Sequence, residues 1–363
     1  MPKALNATAA PYVLQGFDVS YFTAIVRVAL RYKGLWVDEQ HADIRDILKR
    51  TGMAFIPIVV TPEGDTWQDS TEIIERLEAR HPDPPLIPRT PLQHLVANLI
   101  ELYANEFGLL PAMHYRWGSE LADREVRTRF AAMIGRPEQS QKAGDQMAQR
   151  RLDLGATEEA APVIEAHTHD LLEAMNAHLE QQLYLLGGRL SLADCALMGP
   201  FYAHLAQDVV SRQLLIDRAS PVLRWIEFCN YPSTHQTAWL EGDQVPESLV
   251  ALLGAMGRDA APAIAAQTRA FQAWCEAHPA ERRKPPRNVG TFEWELRGTP
   301  MRGVVGGYGT WMVQRSLDAY ASLGEAKRSQ ADALLEGTGW PALLELSIVH
   351  RMKKEGFELR ADE

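Results

Sequence analysis

The sequence predicts two unlike parts: an α+β N-terminal domain followed by an all-α C-terminal region. Three observations carry this. The first ninety residues alternate short β-type runs with helix-period stretches and contain one hairpin pattern. A proline-dense segment, His81-Pro82-Asp83-Pro84-Pro85 through Pro88, then marks the clearest boundary in the chain. Beyond it nearly every stretch has helical period. The expected division is 1–82 for the first domain, 91–240 for an all-helical domain, and 241–363 for a helical extension packed on the globule.

Tyr12-Val13-Leu14-Gln15 opens as a β-type run. A helix-period stretch follows from Phe22 to Lys33, with Ile25, Val26, Val28, Ala29 and Leu30 as its apolar positions and Gly34 ending it. Trp36 to His41 reads as a second strand, and a short charged helix covers Ile44 to Arg50. Phe55 to Thr61 is an apolar strand with Pro57 near its start. Pro62-Glu63-Gly64-Asp65 turns the chain, and Thr66-Trp67-Gln68 returns it. Asp69 or Ser70 caps a helix running through Arg80, with Ile73, Ile74 and Leu77 inward. A helical crossover makes the first two strands parallel, and the 57–68 pair is antiparallel. This element order is that of a thioredoxin-like domain. Helices are expected after the linker at 91–117, 121–134, 158–185, 191–209 and 220–230, the last opened by Ser220-Pro221. In the extension they are expected at 246–256, 260–277, 310–322, 326–336 and 340–353.

Composition narrows the function classes. With 363 residues, 46% of them apolar, 23% charged and a net charge of −10, the chain has core material enough for two or three domains and lacks the signature of disorder. The acidic balance argues against nucleic acid as a partner, and the short basic run Glu281 to Arg287 reads as a solvated linker. Cys195, Cys229 and Cys275 form no CxxC pair, which fits a reducing compartment without disulfides or structural zinc. No uncharged apolar run approaches the ~20 residues of a membrane span. Met1 to Pro11 shows no leader pattern, so a cytoplasmic location away from membranes is the expectation.

Three motifs, in order, resemble the glutathione transferase superfamily. Ser20 with Val26-Arg27-Val28-Ala29-Leu30-Arg31-Tyr32-Lys33-Gly34-Leu35 is similar to its first helix and exit. Phe55-Ile56-Pro57-Ile58-Val59 followed by Gln68-Asp69-Ser70-Thr71-Glu72-Ile73-Ile74 is similar to its apolar-proline strand and acid-serine helix start. Gly188-Arg189-Leu190-Ser191-Leu192-Ala193-Asp194 resembles its helical-domain capping motif, with Ser191 and Asp194 as a capping box. The resemblance spans about 12–240 and carries no motif for the extension.

The resemblance implies a glutathione-dependent transferase with glutathione as co-substrate, no metal, a small electrophilic substrate and a homodimeric state. Pro57 would be cis, turning the Ile56 backbone toward the cysteinyl unit. Ser70 would hold the γ-glutamyl carboxylate at a helix N-terminus, and Asp69 its amino group. Ser20 would stabilise the thiolate. Lowering a thiol pKa of about 8.5 by two units takes about 2.7 kcal/mol, which one charge-assisted hydrogen bond plus a helix N-terminus supplies. Simple capping is the alternative role for Ser20, Asp69 and Ser70. Tyr12 lies within the first strand and Tyr21 points away from the required geometry.

Two positions depart from the family pattern. Tyr21-Phe22 follow Ser20 in place of a proline and a small residue, and Phe55 replaces a polar or basic residue before the apolar-proline pair. The glycyl carboxylate therefore lacks an evident partner, with Lys49 and Arg50 as substitutes from the preceding helix. Tyr103, Phe107, His114 and Tyr115 are candidates to line the electrophile pocket, with core packing as their alternative. Glu165, His167, His169 and His178 match no metal spacing and read as solvated helix residues. Gly303 to Thr310 lacks the lysine of a P-loop and reads as a turn. Phe271, Trp274, Trp294, Tyr308 and Trp311 should pack the tail onto the globule. A non-catalytic module that binds glutathione or a protein partner is the competing function.

Overall fold

The computed structural model describes residues 10–232 and 237–362. Most of the segment behind the leader expectation lies outside them. The first domain comprises β1 (Tyr12–Gly16), α1 (Tyr21–Tyr32), β2 (Val37–His41), α2 (Ile44–Thr51), β3 (Ile58–Val60), β4 (Thr66–Gln68) and α3 (Ser70–Arg80). Its sheet has the order β2-β1-β3-β4, with β1 and β2 parallel and the other pairs antiparallel. This is the thioredoxin-like arrangement expected from the element order.

Helix α1 has an apolar face too wide for a single neighbour, and all its residues but Phe22 and Arg31 are buried. It contacts α3 on one side and the helical region on the other. Its exit is locked by Lys33, whose buried ammonium donates to Glu78 Oε2 at 2.5 Å and to the His81 and Pro84 carbonyls at 2.6 and 2.7 Å. One charged side chain thus ties α1 to α3 and to the proline linker.

The following region is largely helical: α4 (Pro91–Glu106), α5 (Leu109–Trp117), α6 (Glu120–Ile134), α7 (Pro137–Asp153), α8 (Ala161–Leu179), α9 (Leu192–Met198), a π-helical stretch Gly199–Ala206, α10 (Val209–Arg218) and α11 (Ser220–Asn230). The helix expected over 91–117 is two. It breaks at Gly108, where a Cβ would come within 2.8 Å of the Tyr21 hydroxyl. Helix α7 has no counterpart among the expected elements, because its polar sequence shows no apolar period. The Ser191–Asp194 capping box forms. Asp194 also accepts from Leu185 N at 3.0 Å and Trp225 Nε1 at 2.9 Å, so four donors replace its lost water.

The extension holds α12 (Glu247–Ala277), β5 (Gly290–Leu296), β6 (Thr299–Val305), α13 (Gly307–Ala321), α14 (Glu325–Leu335), α15 (Pro341–Leu344), β7 (Met352–Glu355) and β8 (Glu358–Ala361). The purely helical expectation fails here, because β5–β6 and β7–β8 are antiparallel hairpins. The first follows from alternation, Phe292, Trp294 and Leu296 sharing one face, and from positive φ at Arg297 (51°) and Gly298 (82°), which suits a two-residue turn. Helix α12 runs unbroken through Pro262 where two helices were expected. It is long and apolar enough to span a membrane, yet 72% of its most apolar window is buried inside the protein, chiefly against α8. One continuous apolar cluster runs from β1 through α4 and α8 into α12, α13 and α15.

Candidate functional site

Strand registers bring the first domain's candidates together. Gln15, next to the end of β1, pairs with Ile58, the first residue of β3, and Ile58 pairs in turn with Gln68, the last of β4. The end of β1, the start of β3 and the end of β4 therefore share one edge of the sheet. Ser20, Ile56-Pro57 and Asp69-Ser70 all flank that edge. Gly16 closes β1 under α1, where a Cβ would sit 2.4 Å from Thr23 Oγ1.

Ser20 is the N-cap of α1, and its Oγ accepts from Thr23 N at 3.4 Å. That long bond uses a lone pair and leaves the hydroxyl hydrogen to donate. The Ile56–Pro57 bond is cis, Ile56 is half-buried and Pro57 buried. Gln68 Nε2 fixes the approach to this bond by donating to the Phe55 carbonyl at 2.8 Å. Asp69 has a positive φ of 83°, unusual for a residue with a Cβ, and its Oδ1 caps α3 by accepting from Glu72 N at 3.1 Å. Ser70 is buried. Arg50 turns to Asp46 at 2.7 Å, and Lys49 is exposed on α2. The Tyr12 hydroxyl meets His81 Nε2 at 2.8 Å and Tyr21 donates to the Ala104 carbonyl at 2.6 Å, so both phenols face other partners.

The four residues expected to line an electrophile pocket are instead buried in helix packing. Tyr103 meets His167 Nε2 at 2.8 Å, and Phe107 lies edge-on to His167 and Trp294. His114 pairs with Glu165 at 3.0 Å, and Tyr115 shares its burial. Helix α8 and the hairpin β5–β6 cover the face of α4 and α5 that the sequence leaves open. His167 and His178 are likewise buried rather than solvated. His167 Nδ1 meets Asp259 at 2.9 Å, and burial holds the His178 imidazole down at about 4.

Several residues near the site have no sequence signal of their own. Glu106, at the end of α4, packs its carboxyl against Gly309 and bonds to Gln267. Burial pushes this carboxyl up to about 7, the Asp69 charge adds to the shift, and the Gln267 bond opposes it. Arg287, from the basic run read as a linker, lies 4.2 Å above the Phe55 ring. Lys354 on β7 reaches Asp69 Oδ2 at 3.2 Å. Spacing in the chain hides these contacts, since more than 150 residues separate the partners.

Residues 14–85 match the family model described as the glutathione S-transferase N-terminal domain. The match assigns this first domain, and not the whole chain, to the glutathione S-transferase family. None of the curated proteins matches the chain. Among solved structures, the chain is similar to a glutathione S-transferase from Rhodospirillum rubrum F11, at 18% identity over 66% of this chain and 99% of that one, TM-score 0.42. The β-etherase LigF from Sphingobium sp. strain SYK-6 is 17% identical over 61% and 95%, TM-score 0.44. A glutathione S-transferase from Methylobacterium radiotolerans, crystallised with glutathione sulfonate, is 20% identical over 65% and 100%, TM-score 0.39.

Proposed function

We propose that the protein is a glutathione S-transferase-like enzyme that delivers the glutathione thiolate to a small electrophilic substrate. The observation that carries the reading is the convergence of Ser20, the cis Ile56–Pro57 bond and Asp69-Ser70 on one sheet edge of a transferase-type domain. In this reading the extended backbone at Ile56 pairs with the cysteinyl unit, as a strand pairs with its neighbour. The γ-glutamyl end lies at the N-terminus of α3, where Ser70 and unpaired N–H groups favour a carboxylate. The Ser20 hydroxyl donates to the sulfur, and the N-terminus of α1 adds its positive end. Acceleration then comes from a larger thiolate fraction and from holding that thiolate against the electrophile.

A second reading keeps the fold as a non-catalytic glutathione-binding or protein-interaction module. It is favoured by the prior engagement of Asp69 with Lys354 and by the burial of Tyr103, Phe107, His114 and Tyr115. Calorimetry with glutathione, followed by turnover with a generic electrophile such as chlorodinitrobenzene, separates the two. The enzyme reading expects micromolar to millimolar binding, weakened by Asp69→Ala, together with thiol conjugation. Binding without conjugation selects the module, and no heat at high ligand concentration removes both glutathione readings. A cytoplasmic homodimer is the accompanying proposal. Three free, buried cysteines agree with the compartment, and a concentration-independent monomer mass in sedimentation overturns the dimer.

A further inference from the structure

Hairpin β7–β8 and helix α13 dock on the γ-glutamyl end of the candidate site. Lys354 Nζ lies 3.2 Å from Asp69 Oδ2 and 3.8 Å from Glu72 Oε2, and it rests over the Tyr308 and Trp311 rings. The Tyr308 hydroxyl also bonds to Asp69. The remaining oxygen of Asp69 is taken by the Glu72 amide, and Glu72 Oε1 is taken by Arg76 at 3.0 Å from its Nε. The docking is built rather than incidental. Gln314 pairs with both backbone groups of Met352, at 2.8 and 2.7 Å, and Lys284 bonds Glu358 at 2.6 Å. Lys354 is itself mostly buried.

We propose that Lys354 is the specificity-determining residue of this site: its ammonium occupies the subsite that a ligand's α-ammonium would take on Asp69. This rests on the glutathione reading. A ligand ammonium on the same carboxylate would face a like charge a few ångströms away in a sheltered position, which opposes binding. A ligand carboxylate there gains instead, because Lys354 adds its charge to the positive end of α3. The preferred ligand class is therefore a thiol peptide recognised by its carboxylates, with its γ-linked arm lacking the free amine.

The test compares two probes by calorimetry on the full chain: glutathione and glutaryl-cysteinylglycine, which is glutathione without its α-amino group. The wild type and Lys354→Arg should bind the deaminated peptide at least threefold more tightly. Lys354→Met should reverse the order and favour glutathione at least threefold, a change in ratio of about tenfold. Lys354→Gln, which keeps a polar end on Asp69, gives the same reversal and serves if the methionine variant does not fold. The same preference for glutathione in all the proteins overturns the proposal, as does a parallel change in both affinities. Failure of every folded variant to bind either probe overturns the glutathione reading itself.

Discussion

Ser20 combines two roles that answer to different measurements. As N-cap of α1 it accepts a long bond, and such caps contribute about 1 kcal/mol. As thiol donor it would supply a charge-assisted bond of about 1.5–3 kcal/mol. Ser20→Ala is therefore expected to raise the pKa of bound glutathione by one unit or more, about 1.4 kcal/mol, with little effect on binding at low pH. Thiolate absorbance followed against pH reads this directly, and superimposed curves for wild type and variant would make Ser20 purely structural. Glu106 gives the second prediction. Its carboxyl titrates at about 7 in the fold against an ordinary value of 4.5, so the folded state holds the proton more tightly. Its contribution to stability is fully present below about 4.5 and is lost as pH rises through about 7. Glu106→Gln removes that loss. The variant should melt a few degrees above the wild type at pH 8, on the order of 1–3 kcal/mol, and the gain should vanish near pH 4.5. A pH-independent difference would mean that the carboxyl is solvated.

The element whose position matters most is hairpin β7–β8. The Gln314 amide meets the Met352 N–H and C=O as another strand would, inside a buried contact. Gln314→Leu leaves both backbone groups without partners, and each orphan costs about 1–3 kcal/mol. The expected result is a fall in melting temperature together with faster amide exchange and protease cleavage in 345–362. Unchanged exchange there would show that the apolar contacts of Met352 and Leu359 suffice. The first domain was legible because its signals are local: the turn at 62–65, the caps at Ser20 and Asp69, and the apolar period of α1. The hairpins were not, though for different reasons. Thr291 to Leu296 carries a clear period of two, overridden by the helical character of the chain around it. Met352 to Glu355 carries almost none, and it becomes a strand because Gln314 and Phe271 offer it a surface. The sheet-edge candidates were readable for the same local reason. Lys354, Arg287 and Glu106 acquire meaning only from contacts made across the fold.

At the scale of the whole molecule, the extension is part of the scaffold and not an appendage. Thr90 precedes α4 but makes no side-chain cap. The cap comes from Asp243, whose carboxylate accepts from Leu92 N and Gln93 N at 3.0 Å and pairs with Lys327 at 2.7 Å. Burial works against that charge, but Lys327 and the two amides outweigh it and hold the carboxyl below its ordinary 3.8. A residue about 150 positions downstream thus starts the central helix of the second region, and α12 and α13 then cover it. Because one apolar cluster joins all three regions, unfolding should be a single cooperative transition. Asp243→Ala is expected to move that transition down as a unit, by about 1–2 kcal/mol, without splitting it. A depressed carboxyl stabilises above its unfolded value and loses this as pH falls through the folded one. The gap between wild type and variant should therefore stay constant above about pH 5 and narrow toward pH 3. Calorimetry alongside tryptophan fluorescence and circular dichroism tests both parts. Two resolved transitions would show that the transferase-type domain folds independently of the extension, whereas one transition displaced intact would show that Asp243 anchors a core shared by the whole chain.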